Sequence, residues 1–153
     1  MTEINGDLIK LAKDENFDII VHGCNCQRKM GAGIALTLKQ NFPEVAYQDS
    51  ITKCNTLGNI DEVHIKNYKF KVINAYTQNY WGKCNKYETQ NSRYNAIRKC
   101  MKKINERYKG LRIGLPLIGC GKAGGDWKIV KEIIKDELKD CNVTVVHFSY
   151  IVE

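Results

Sequence analysis

The chain has 153 residues, 43% hydrophobic and 27% charged, which suits one globular domain (residues 1–153) with a core of its own. It has no apolar run of membrane-spanning length, and Met1 to Gly6 lacks the charged-then-apolar layout of a secretion signal, so the expectation is a cytoplasmic protein without a membrane partner. The net charge of +7 suits an anionic partner, but the lysines are spread along the chain and do not separate a nucleic-acid binder from a protein with a pyrophosphate-sized ligand.

Along the chain, strand and helix patterns alternate. Phe17 to His22 is a short, β-branched apolar run ending at Gly23, the pattern of a strand buried on both faces. A glycine-rich turn follows, and Ile34, Ala35, Leu38 and Phe42 then recur at helical spacing, with Pro43 expected to end the segment. Asp61 to Lys66 and Lys69 to Tyr76 read as two strands joined by a tight turn near Asn67 and Tyr68. Tyr94, Ile97, Met101, Ile104 and Tyr108 mark one face of a long helix whose other face carries Arg and Lys, and Gly110 closes it. Leu111 to Ile118 reads as a buried strand, Trp127 to Leu138 as an amphipathic helix, and Val143 to Phe148 as a last strand. This alternation predicts a three-layer α/β/α sandwich with a mixed central sheet.

The informative feature occurs twice: a buried strand, a glycine-rich loop, then a helix. Loop one runs from Gly23 to Gly33 and loop two from Gly119 to Asp126. Glycines let the backbone approach a ligand closely with its N–H groups turned inward, and a helix N-terminus adds partial positive charge. Two such loops at one sheet edge predict a pyrophosphate site. Gly31-Ala32-Gly33-Ile34-Ala35-Leu36 lacks the third glycine of a dinucleotide fingerprint, and Lys122 is followed by Ala123 instead of the hydroxyl of a P-loop.

The seven cysteines are odd in number, without C-x-x-C or paired zinc spacing, so free and mostly buried thiols are expected, with no metal.

Taken in order, Gly6-Asp7-Leu8 after a first short strand, His22-Gly23-Cys24-Asn25-Cys26, Met30-Gly31-Ala32-Gly33-Ile34-Ala35, Pro116 to Gly121 and Gly124-Gly125-Asp126-Trp127 resemble the macro domain over nearly the whole chain. Within that family the chain looks most like the group containing the yeast ADP-ribose-1''-phosphate phosphatase and the terminal ADP-ribose protein glycohydrolase. The resemblance implies an ADP-ribose ligand and no cofactor. Asp7, with Leu8 beside it, would accept from the adenine 6-amino group, or cap the helix that follows. Asn25 would bond the distal ribose, or hold an Asx turn. Gly31, Ala32, Gly33 and Ile34 from loop one, with Gly119, Cys120, Gly121, Lys122, Ala123 and Gly124 from loop two, would offer N–H groups to the phosphates. Phe148, or else Tyr150, would lie against adenine.

For chemistry, the resemblance marks His22 and Asp126. An imidazole beside the phosphate loop can transfer a proton, or be packed and hydrogen-bonded as strand-end histidines usually are. Asp126 can orient water or cap the last helix. The glycohydrolase branch uses a lysine after the fourth strand and an aspartate in loop two; Tyr80 and Ala123 stand at those positions here, although Lys83 is near. The implied activity is metal-independent release of phosphate from ADP-ribose-1''-phosphate by a monomer. The alternatives are removal of ADP-ribose from a modified protein or nucleic acid, deacetylation of O-acetyl-ADP-ribose, or ligand reading without turnover.

Overall fold

In the computed structural model, which describes residues 1–149, the alternation read above is present. The strands are β1 (Thr2–Gly6), β2 (Ile19–Asn25), β3 (Ile60–His64), β4 (Lys71–Gln78), β5 (Arg112–Leu115) and β6 (Asn142–Phe148), in the sheet order β1-β6-β5-β2-β4-β3. The helices are α1 (Leu8–Lys13), α2 (Gly33–Asn41), α3 (Pro43–Ile51), α4 (Gln90–Arg107) and α5 (Trp127–Glu137). Neighbouring strands are parallel except β3 and β4, which are antiparallel. The connection between them passes Asn67, whose φ of 71° suits asparagine better than most residues.

Successive residues on each strand go to opposite faces, so one sheet serves two cores. Ile19, Val21, Ile73, Ile113 and Val145 pack with Ile97, Met101 and Ile104 of α4 and Val130 and Ile134 of α5. Ile20, Val63, Val72 and Val146 pack with Leu8 of α1, Leu38 of α2 and Val45 of α3. The three layers and the mixed sheet are those expected.

The structure departs from the sequence reading in several places. Pro43 ends α2 but also opens α3 as its first residue, where a missing N–H costs nothing. Only Val45 and Asp49 of α3 are buried, too sparse a stripe for a periodicity argument. The fifth strand stops at Leu115, before Pro116, which has no N–H to continue the ladder. Arg93 does not join the polar face of α4. It is 2% exposed, one turn before Ile97 on the buried side.

The topology also fixes where a ligand is able to sit. β2 and β5 are neighbours, yet α2 leaves β2 toward one face and α5 leaves β5 toward the other. That is a topological switch point, where the carboxyl ends of parallel strands leave a crevice. The two strands pair only at Ile19–Ile113 and Ile20–Gly114, so beyond these residues they separate.

Candidate functional site

Both glycine loops rise from this separation. Ile118, at the entrance to loop two, stands 3.2 Å from where a Cβ on Gly23 would be, so the two loops start side by side.

Loop one is built on Asn25. Its Oδ1 accepts from the N–H groups of Gln27 (3.1 Å) and Lys29 (3.2 Å), and its Nδ2 donates to the Lys29 carbonyl at 2.8 Å. The Asx-turn role is therefore present. Arg28, in a left-handed conformation (φ 60°), ties the loop to the end of α3 by donating to the carbonyls of Asp49 and of Thr52 (2.7 Å). Anchored this way, Gly31, Ala32 and Gly33 are exposed at the start of α2, whose N-cap residue Ala32 supplies no side-chain oxygen. The first N–H groups of a helix lack intrahelical partners. Gly33 has φ 58°, which favours glycine, but Gly31 has no such demand, and a Cβ there would meet nothing within 4 Å.

Loop two is closed by its own backbone. Cys120 N–H donates to the Leu117 carbonyl, Gly124 N–H to Gly121, and Gly125 N–H to Gly119. Cys120 and Gly124 were expected among the phosphate donors, but their N–H groups are used inside the loop. Gly119, Gly121, Lys122 and Ala123 are left, with no backbone acceptor among the described residues. Gly121, like Gly31, has no neighbour that a Cβ would strike. Asp126 ends the loop: its Oδ1 accepts from Lys128 N–H at 3.0 Å, so it caps α5, while the residue stays exposed.

The sequence reading missed the group that holds loop two in place. Glu88 and Arg93 form an ion pair at 2.7 Å with side chains 1% and 2% exposed. Arg93 also donates to the carbonyls of Gly82 (2.6 Å), Tyr80 (3.0 Å) and Ala123 (3.2 Å), while Glu88 accepts from the N–H of Tyr80 at 3.2 Å. Burial acts to raise the Glu88 carboxyl, but the bonds from Arg93 and from the N–H groups of Asn79 and Tyr80 outweigh it and hold it below the ordinary glutamate value. The available signal was the position of Arg93 four residues before Ile97.

At the other end of the sheet, Gly6 of β1 is in register with Phe148 of β6, which places Asp7 and Phe148 at the same edge. Asp7 caps α1 through Oδ1, at 3.0 Å from Ile9 N and 3.1 Å from Lys10 N. Leu8 is buried in the core, so its side chain is not available to the ligand contact the resemblance implied. Phe148 is 66% exposed, and Tyr150 lies outside the described residues.

His22 requires a correction. The sequence put it beside the phosphate loop as a proton-transfer group, but the side chain is fully buried on the α3 side of the sheet, with Nε2 2.6 Å from Asn74 Oδ1. Burial drops its pKa from 6.5 to about 4 against the opposing Asn74 bond, so it is neutral near pH 7 and out of reach of a ligand. The thiols are also unsuited to nucleophilic work, since burial pushes Cys26 and Cys120 up to about 11 and Cys24 well above its usual value. They are less buried than expected: Cys24 and Cys100 are enclosed, Cys54 is exposed and the rest are intermediate.

The described edge thus runs from Asp7 and Phe148 at β1 and β6, through loop two at β5 and loop one at β2, to the segment after β4. The family profile described as the macro domain matches residues 21–134, which takes in both loops. The chain belongs to the macro domain family. A 17.5 kDa uncharacterised protein from the tk–vs intergenic region of Enterobacteria phage T4 is 30% identical to this macro domain, over 95% of each chain. A protein of unknown function from Bacteroides thetaiotaomicron has a similar structure, with TM-score 0.75 and 27% identity, over 95% of this chain and 96% of the other. The fold is also that of Thermosipho africanus DarTG, solved in complex with ADP-ribose, with TM-score 0.68 and 18% identity over 93% of this chain and 41% of that one.

Proposed function

We propose that this macro domain binds ADP-ribose or a derivative of it, with the diphosphate between loops one and two and the adenine toward Asp7 and Phe148. The observation that carries this reading is the pair Gly31 and Gly121. Neither φ nor packing requires glycine at these positions, yet both lie on exposed loops at the switch point, where a bare backbone serves a ligand's close approach. The ADP-ribose held by the similarly folded Thermosipho africanus protein supports the same ligand. Calorimetric titration with ADP-ribose beside ATP, NAD and AMP tests it. Preference for ADP-ribose is expected, and equal binding of all four, or of none, would overturn the reading.

A second reading adds turnover: release of phosphate from ADP-ribose-1''-phosphate, as the His22-to-Cys26 resemblance to the yeast-type phosphatase suggests. With His22 enclosed, proton acceptance from the attacking water falls to the exposed carboxylate of Asp126, and the N–H groups of Gly121, Lys122 and Ala123 stabilise the phosphoryl oxygens. Asp126→Ser keeps a capping oxygen and removes the carboxylate, and is expected to slow phosphate release by roughly a hundredfold or more. Wild-type rates from this variant, or no release by the wild type, would remove the reading.

A further inference from the structure

The turn that leads into Gly31 is bracketed by two asparagine amides. From inside, Asn25 takes the N–H groups of Gln27 and Lys29 and returns a bond to the Lys29 carbonyl. From outside, Asn55, in the segment after α3, donates Nδ2 to the Cys26 carbonyl at 3.1 Å and accepts from the Arg28 guanidinium at 3.2 Å. Arg28 sends its other bonds to the carbonyls of Asp49 and Thr52 at the end of α3, whose own last turn has no basic residue. The guanidinium thus supplies from loop one the cation that a helix C-terminus favours. Its backbone is strained: φ 60° is left-handed, a region that glycine enters freely and a side chain enters at a cost. A turn that needed shape alone would be served better by glycine or asparagine. The arginine is explained by what its side chain reaches.

We propose that Arg28 and Asn55 are positioning residues for ligand binding: their side chains are engaged by protein, and they set the backbone from Gly31 to Gly33 before the ligand arrives. This rests on the ADP-ribose reading and says where part of the affinity comes from. After the buried Met30 the chain enters three exposed residues, two of them glycine, and ordering such a stretch on binding subtracts from affinity. α2 fixes the far end of this stretch, although its N-cap Ala32 adds no side-chain bond. The Arg28–Asn55 strap fixes the near end. An ammonium on a flexible stem does not reproduce the planar fork that reaches several acceptors at once, so lysine is a poor substitute at this position.

The test uses the whole chain with Arg28→Gly, which relieves the backbone strain while removing the guanidinium, beside Arg28→Lys and Asn55→Leu. Calorimetric ADP-ribose affinity is expected to fall about tenfold in Arg28→Gly and in Asn55→Leu, and Arg28→Lys should recover a small part of the loss. The double variant Arg28→Gly with Asn55→Leu should lose no more than either alone, because both break one strap. Adenosine, which reaches the adenine end without the diphosphate, should keep its wild-type affinity in NMR titration. Amide exchange at Gly31 and Gly33 should quicken in the ligand-free variants. Wild-type ADP-ribose affinity in Arg28→Gly, full recovery by Arg28→Lys, or an equal loss of adenosine binding would each overturn the proposal. Quickened exchange in Arg28→Gly, beside a wild type that binds no ADP-ribose, would leave the strap standing and overturn the ligand reading instead.

Discussion

The guanidinium of Arg93 lies 3.2 Å from the carbonyl oxygen of Ala123, so a residue of α4 fixes the turn of a glycine-rich loop 30 positions further along the chain. The same side chain neutralises Glu88 inside the protein, and neither charge is exposed to solvent. Arg93→Met leaves a buried carboxylate without its cation, which costs about 3–5 kcal/mol. Urea unfolding is expected to show that loss, and Arg93→Met combined with Glu88→Leu is expected to regain a large part of it. A single variant with the wild-type midpoint would show that the pair does not hold this segment.

The glycines of the two loops divide by what constrains them, and substitution separates the groups. Gly31 and Gly121 have open space where a side chain would go. Gly31→Val and Gly121→Val are expected to stay within about 0.5 kcal/mol of wild-type stability while ADP-ribose affinity falls more than tenfold. Gly125 is different, since a Cβ there would lie 2.5 Å from the Gly119 carbonyl oxygen. Gly125→Ala should therefore lower stability by roughly 1–3 kcal/mol as loop two is forced open. Undiminished binding by both valine variants, measured by calorimetry, would mean that the ligand does not approach these backbones.

The inner strands of the sheet were readable because they are apolar and bounded by glycine or turn residues, and both glycine-rich loops were readable because glycine is conspicuous in sequence. α3 was not, because only Val45 and Asp49 of it are buried, Ala46 is partly so, and the rest of the helix is polar or exposed. The face that His22 presents was also hidden. Alternation along β2 decides it, and only the packing of α3 shows that its side of the sheet is closed. Arg93 was hidden for a related reason: a charged residue at a core position reads as surface until its partner, five residues away at Glu88, is seen beside it. Cys120 and Gly124 show a further limit, since a loop's composition does not say which of its N–H groups the loop consumes.

Asp7 has one observed job, capping α1, and one proposed job, adenine recognition, and the two can be parted. Oδ1 takes both N–H groups at the start of α1, and serine at an N-cap supplies one oxygen almost as well. Asp7→Ser should hold stability within about 0.5 kcal/mol, whereas Asp7→Ala loses about 1 kcal/mol with the cap. On the proposed binding mode, both should weaken ADP-ribose binding and narrow the preference for adenine over hypoxanthine in the base, because the carboxylate proposed to accept from the 6-amino group is gone. Competition between ADP-ribose and its inosine counterpart gives the readout; an unchanged preference in Asp7→Ser would confine Asp7 to capping.

The buried imidazole of His22 makes stability depend on pH in a definite direction. Its pKa falls from 6.5 to about 4 on folding, so between these values the unfolded chain binds a proton that the folded chain refuses. Stability then rises with pH: the contribution is complete above about 6.5, declines as the pH drops, and levels off near 4. The span corresponds to roughly 3 kcal/mol at most. Asp49, whose carboxyl burial raises above its ordinary 3.8, acts in the opposite sense in the range above that value, and it is present in any variant at position 22. His22→Gln keeps an amide able to bond Asn74 and removes the titration, so the stability of the wild type relative to this variant should drop steadily between pH 7 and 4. Parallel urea-unfolding curves across that range would place the imidazole in contact with water, which its enclosure by Asn74 and Cys24 contradicts.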